Sequence, residues 1–130
     1  IADYYTTGLS LRAHPLKFLR PQLDQRGVSP AKQLTFIKSR QRLTVAGIVL
    51  LRQRPSTARG ITFVTLEDET GFVYLIIRPE VWERYHCAAR AATILLAHGF
   101  LQRQGIVVHV LVQSLEDGSG LTASTLKPPT

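Results

Sequence analysis

Apolar and polar positions alternate twice between Ile61 and Arg78, on either side of a short acidic interruption, and the pattern predicts two strands folded about one tight turn. Successive strand side chains point to opposite faces, so Ile61, Phe63 and Thr65 share one face of the first strand and Thr62, Val64 and Leu66 the other. Val64 and Leu66 mark the core side. In the second strand Val73, Leu75 and Ile77 continue that side, while Phe72, Tyr74 and Ile76 face away from it. Phe63 and Tyr74 are therefore expected on the outer side of the hairpin, where a flat base could stack. The interruption, Glu67-Asp68-Glu69-Thr70-Gly71, offers an Asp able to bond its own backbone and a Gly able to take positive φ.

Upstream, the run RLTVAGIVLLRQR from Arg42 to Arg54 predicts a long first strand. Gly47 within it predicts a bulge or sharp bend, which a small barrel needs when one strand serves both of its sheets. Arg52 and Arg54 fall together on one side of its far end, and the loop 55–60 adds a further cation, Arg59. Downstream of the hairpin, Pro79 opens a helix expected to run to about Ala92, with Val81/Trp82, Tyr85 and Ala88/Ala89 at helical spacing. Two more strands follow, Ile94 to Gln102 and Ile106 to Leu115, about a Gln104-Gly105 turn. In the last of them Val108, Val110 and Val112 face one way, and His109 and Gln113 the other. At the front, residues 1–13 read as an extended lead-in. His14-Pro15 opens a short helix with Leu16, Leu19 and Leu23 on one side, Pro21 as a distortion and Gly27 as a stop. Ser29 and Pro30 offer the N-cap and first residue of a second helical start toward Leu34.

Strand, strand, strand, helix, strand, strand, with a bent first strand, is the order of a five-stranded Greek-key barrel, the OB-fold. The expected class is all-β with small helical additions: a helix between strands three and four, and an N-terminal helical linker. The chain divides into a linker with short helices over 1–40, an OB domain over 41–116 and a flexible tail over 117–130. In this fold ligands lie across strands two and three, flanked by the loop after strand one and the loop between strands four and five. A β-sandwich fragment fits less well because a helix interrupts the strands.

Composition supports one core: 130 residues at 45% hydrophobic content are enough for a single compact body. The formal charge is +7, and it is unevenly placed. Residues 1–60 hold eleven Lys/Arg against Asp3 and Asp24, whereas residues 61–130 hold five against seven acids. A local basic surface of this kind suits nucleic acid, and charge alone leaves an ordinary solvated surface equally open. Cys87 stands alone, which rules out an internal disulfide and a cysteine metal cluster; its neighbours Val81, Trp82, Tyr85 and Ala88 suggest a buried, inert thiol. No apolar run approaches the roughly 20 residues needed to span a bilayer, and no signal peptide heads the chain, so a cytoplasmic location without membrane contact is expected. The absence of any Met points to a piece of a larger protein.

Phe63 and Tyr74 are the candidate stacking rings, with Thr65 beside them on the same outer face; covering an open barrel end is the competing role. Arg52, Arg54, Arg59 and Arg103 are the candidate phosphate contacts, expected along one groove with the rings; each could equally be an ordinary exposed Arg. Glu67, Asp68 and Glu69 read as a solvated turn, since no carboxylate or His cluster elsewhere matches them for metal or acid-base work. His14, His86, His98 and His109 lack ligand spacing, although His98 and His109 could be cross-strand neighbours. No nucleophile motif or phosphate-cradling glycine loop is present. Catalytic residues, metal sites and cofactors are accordingly expected to be none.

The segments TGLSLRAHPLKFLRPQLDQRGV and RLTVAGIVLLRQRPSTARGITFVTLEDETG resemble the C-terminal region of bacterial error-prone DNA polymerases, relatives of the polymerase III α subunit. The likeness runs from about Thr7 to about Asp117. Its most specific parts are Ser10-Leu11 with His14-Pro15-Leu16, then Val45-Ala46-Gly47, Arg52-Gln53-Arg54-Pro55 and Phe63 to Gly71. FVTLEDETG alone is also similar to the anticodon-binding barrels of class II aminoacyl-tRNA synthetases. The resemblance implies an OB domain after a helix-hairpin-helix region, near the template of an enzyme that replicates damaged DNA by translesion synthesis. It implies single-stranded or primer-template DNA, the remaining polymerase domains and accessory mutagenesis proteins as partners. Catalytic aspartates and metal ions would belong to a palm domain outside this chain, which alone would have no activity. In the similar synthetase barrels an aromatic at the place of Phe63 and a polar residue at that of Tyr74 meet bases, which implies an RNA-binding alternative. A protein-docking OB module is the other alternative. Residues 116–130 depart from the family, which continues into a basic tail.

Overall fold

The computed structural model describes residues 14–118, with the side chain of Ala58 excepted. The expected lead-in and most of the expected tail lie outside these residues. Five strands, β1 (Arg42–Gln53), β2 (Thr62–Asp68), β3 (Gly71–Ile77), β4 (Ile94–Gln104) and β5 (Val107–Asp117), close into a barrel in the order β1-β2-β3-β5-β4. β3 and β5 run parallel and the other pairs antiparallel, the Greek-key closure of an OB-fold. β5 extends through the first residue of the expected tail, Asp117, and the Gly118 amide bonds the Ile94 carbonyl at 2.7 Å.

Alternation places the core as the sequence predicts. Val64, Leu66, Val73, Leu75 and Ile77 point inward to meet Val45, Leu95, Leu101, Val110 and Val112, all buried. β1 is shared between two partners: residues 42–48 pair with β4 and residues 48–53 with β2. The changeover lies at Gly47, where a Cβ would come within 2.8 Å of the Leu66 Cβ and 2.9 Å of the Glu67 carbonyl oxygen. The register shift lies two residues beyond Gly47, between Val49 and Leu51.

A second apolar cluster lies outside the barrel. Helix α1 (Pro15–Gln25) sets Leu16, Leu19 and Leu23 against Ala46 and Ile48 of β1 and Ile94 and Leu96 of β4. Burying each leucine stabilises this contact by about 1.5–3 kcal/mol. His14 is the N-cap: its Nδ1 accepts from the Leu16 amide at 3.1 Å. Pro21 sits inside the helix on an exposed position without ending it.

The second helical start is a 3-10 helix over Ala31–Phe36, and its cap differs from expectation. Pro30, not Ser29, is the N-cap residue, with no side-chain cap of its own. Its unpaired amides are met instead by the β2–β3 turn, where Asp68 Oδ2 accepts from Ala31 N at 2.7 Å and Thr70 Oγ1 from Lys32 N at 3.0 Å. That turn is therefore not solvated. Asp68 is 2% exposed and its Oδ1 accepts from Thr70 N, Thr70 Oγ1 and Gly71 N, the self-bonding turn the sequence predicts.

The expected helix from Pro79 to Ala92 is two short helices, α2 (Pro79–Arg84) and α3 (His86–Ala91), broken where Tyr85 takes φ −116° and ψ 23°. Val81, Ala89 and Ala92 reach the core from them. Cys87 is exposed, contrary to expectation: the short helix buries Ala89, and a residue two positions away points to a different side of the helix.

Candidate nucleic-acid interface

The outer face of the β2–β3 hairpin is built by register. Thr65 stands opposite Tyr74, and Phe63 opposite Ile76. Phe63 and Tyr74 are thus diagonal neighbours, about 7–8 Å apart in such a ladder. Tyr74 is 44% exposed, Phe72 beside it 52%, and Phe63 is half-buried. Across the strand pair, Leu51 of β1 faces Thr65 and Gln53 faces Phe63, so one outward row reads Leu51, Thr65, Tyr74. The β4–β5 turn closes one side. Gly105 leads it at φ 62°, and Ile106 at its tip is 97% exposed. Between that turn and the 3-10 helix lies a cleft of about 300 Å³, lined by Leu34, Thr35, Phe72, Tyr74, Ile106 and Val107 among others.

The arginines divide. Arg52 stands opposite the inward-facing Val64. Its guanidinium reaches over the barrel end, with Nε donating to the Ala89 carbonyl at 2.6 Å and Nη2 to the Ala92 carbonyl at 2.8 Å. Burial there lowers its pKa from the ordinary arginine value, although a guanidinium remains charged. Arg54 follows on the same side, its Nε donating to Thr62 Oγ1 at 3.0 Å and its guanidinium lying 5.1 Å from the Trp82 ring centre. The expectation of one groove shared by rings and guanidinium groups is corrected accordingly. Unbroken alternation would place even-numbered residues of β1 outward throughout, but the bulge between Val49 and Leu51 inverts the sequence of faces. Leu51 and Gln53 then face outward, and Arg52 and Arg54 do not.

Arg59 is exposed in the loop after β1 with φ 54°. Arg103, near the end of β4, donates to the carbonyls of Thr35 and Ile37 and ties the 3-10 helix to the barrel. Phe72, Leu51 and the Ile106 turn were not singled out from sequence. Phe72 shares Tyr74's alternation and could have been included; Leu51 carries no such signal because the bulge that exposes it has none.

The histidines are not neighbours: His98 stands opposite Ser114 and His109 opposite Gln102. His98 bonds Thr44 Oγ1 through Nδ1 at 2.8 Å and Glu116 Oε1 through Nε2 at 3.3 Å. Arg26 and His98 together hold the Glu116 carboxyl below the usual range. Among the described residues no group of three His, Cys, Asp or Glu could hold a metal ion, and no helix is long and apolar enough to cross a membrane.

Barrel closure, strand order and the outward aromatic face define an OB-fold. A family model described as OB-fold nucleic acid binding domain matches residues 43–120, and the chain belongs to that family. Its relatives include the error-prone DNA polymerase of Anaeromyxobacter dehalogenans (strain 2CP-C), 48% identical over 114 residues, covering 88% of this chain and 10% of the relative. The error-prone DNA polymerase of Caulobacter vibrioides is 43% identical over 127 residues, covering 98% of this chain and 12% of that protein. The chain thus spans about a tenth of the length of these curated relatives. Among solved structures, asparaginyl-tRNA synthetase from Pyrococcus horikoshii matches with a TM-score of 0.58 at 18% identity, over 68% of this chain and 22% of that one. At that identity the likeness shows the fold alone.

Proposed function

We propose that this OB barrel binds single-stranded DNA, as a template-contacting module of a cytoplasmic, damage-tolerant polymerase, and that it contributes no catalytic group. The supporting observation is the pair of diagonal rings, Phe63 and Tyr74, accessible on adjacent strands with exposed Phe72 alongside. Every base has a π-face, so two such platforms hold successive bases without regard to sequence. Thr65, opposite Tyr74, offers a hydroxyl to a base edge. Arg59 and Arg103 flank this face at the loop after β1 and beside the β4–β5 turn, and supply phosphate contacts. Relatives that are error-prone polymerases favour DNA, with the remaining polymerase domains and accessory mutagenesis proteins as neighbours.

Fluorescence anisotropy of labelled oligo-dT at two salt concentrations tests this. Phe63→Ala and Tyr74→Ala together should weaken binding by at least ten-fold, since each stacked base contributes about 1–3 kcal/mol. Wild-type affinity in that double variant would overturn the proposal. Preference for structured RNA in competition would reassign the face to an anticodon-type role, and capture of a protein partner without any oligonucleotide shift would reassign it to docking.

A further inference from the structure

The two arginines that leave the aromatic face do not disperse. Arg52, Gln53, Arg54, Thr62, Trp82 and Arg90 line a concavity of about 410 Å³ at the barrel end covered by α2 and α3. Three of these six side chains carry a guanidinium and none carries a carboxylate. Arg52 is committed to the Ala89 and Ala92 carbonyls, so it fixes the wall and contributes charge. Arg54 is held by Thr62 through Nε and by the Trp82 ring 5.1 Å away, and it lines the concavity beside Arg52. Arg90 is exposed in the last turn of α3. A planar, oriented guanidinium beside a second one is suited to a phosphate.

Gln53 joins this concavity to the aromatic face. It lines the concavity and also stands opposite Phe63 in the β1–β2 ladder. We infer that the concavity formed by Arg52, Arg54, Trp82 and Arg90 is a second nucleic-acid contact, seating the phosphodiester backbone of a strand that leaves the stacking face over Gln53. The inference rests on the nucleic-acid reading of the barrel and extends its footprint past the β2–β3 face. Bases are read on one side of β1 and backbone is held on the other. The bulge that turns Arg52 and Arg54 away from Phe63 is what creates the second contact.

The test measures the salt dependence of binding by the 130-residue chain to dT oligonucleotides of about four and about sixteen nucleotides, the span of OB site sizes. For Arg54→Gln with Arg90→Ala, the slope of log affinity against log salt should fall by about 1.4 with the longer oligonucleotide, about 0.7 per lost phosphate. Affinity for the shorter one should not change. Arg90→Glu, at an exposed position, keeps the test open if Arg54→Gln unfolds, and should weaken the longer complex more than Arg90→Ala. An unchanged slope with the longer oligonucleotide overturns the inference. The Phe63→Ala/Tyr74→Ala variant separates the two readings. If it binds both oligonucleotides like wild type while the arginine variants lower the slope, the stacking face is wrong and the phosphate seat stands.

Discussion

The guanidinium of Arg20 grips the carboxylate of Glu69 through two hydrogen bonds, Nε to Oε2 at 2.6 Å and Nη2 to Oε1 at 2.9 Å, across forty-nine positions of sequence. The same group reaches Asp68 Oδ2 at 3.4 Å and the Val28 carbonyl at 3.2 Å. Helix α1 is thereby fastened to the turn of the central hairpin. Burial alone would raise the Glu69 carboxyl, but the paired bonds and charge of Arg20 hold it below the usual carboxylate range.

Removing Arg20 leaves Asp68 and Glu69 facing one another with little water to screen them. Breaking a buried pair by deleting one partner costs about 3–5 kcal/mol, and the small remaining exposure of Arg20 and Glu69 places Arg20→Ala near the lower figure. Urea denaturation should show that loss. Arg20→Lys should restore only part of it, because an ammonium cannot supply the two parallel bonds. A stability unchanged in Arg20→Ala would mean that the clamp contributes nothing.

His14 gives α1 a pH dependence. Its Nδ1 must be unprotonated to accept from the Leu16 amide. Burial lowers its pKa from 6.5, against the opposing pull of Glu67, Asp68 and Glu69. The folded chain therefore binds this proton less readily than the unfolded chain. Stability should be complete above pH 6.5 and decline as pH falls toward the lowered folded value. His14→Asn, which keeps a capping oxygen without a titrating ring, should flatten that decline when denaturation midpoints are compared between pH 5.5 and pH 7.5. Glu69 and Glu116, both held low, lose their contributions only at more acidic pH.

The barrel was readable because its determinants are local: strict alternation in β2 and β3, a Gly within β1, and Asp68 and Gly71 at the turn. The outward placement of Phe63 and Tyr74 followed from the same alternation. The direction of Arg52 and Arg54 was not legible because it depends on one extra residue in β1, and no residue type at Val49, Leu50 or Leu51 announces it. The acidic turn failed for a different reason. Its partners, Arg20 and the amides of Ala31 and Lys32, lie 37 to 49 residues upstream, and only the folded chain brings them together. Arg90 was hidden by the break at Tyr85, which sets where α3 points.

A second irregularity, between His98 and Gly99, lets β4 and β5 stay paired along their whole length. Gly99 is what permits it: a Cβ there would lie 2.0 Å from the Leu111 carbonyl oxygen and 3.0 Å from the Val112 Cα. The β5 backbone cannot step aside as a flexible side chain would. Gly99→Ala should cost about 3 kcal/mol, the upper end for overpacking, or prevent folding. Thermal denaturation and the yield of folded protein report this, and a variant as stable as wild type would show that the strand pair can slide.

Tyr74 separates stacking from hydrogen bonding on the proposed face. Its ring is outward and partly exposed, opposite Thr65, and contributes little to the core that Val73 and Leu75 fill from the other side of β3. Tyr74→Ala should therefore leave the denaturation midpoint nearly unchanged while weakening oligo-dT binding about ten-fold or more, the loss of one stacked base. Tyr74→Phe keeps the π-face and removes only the hydroxyl, so it should bind within about two-fold of wild type if stacking governs the contact. A Phe variant as weak as the Ala variant would shift the role of Tyr74 to a hydrogen bond through its hydroxyl. That result would also predict base preference where stacking predicts none, since a donor or acceptor reads a base edge and a ring does not. Running oligo-dT against oligo-dA with both variants distinguishes the two.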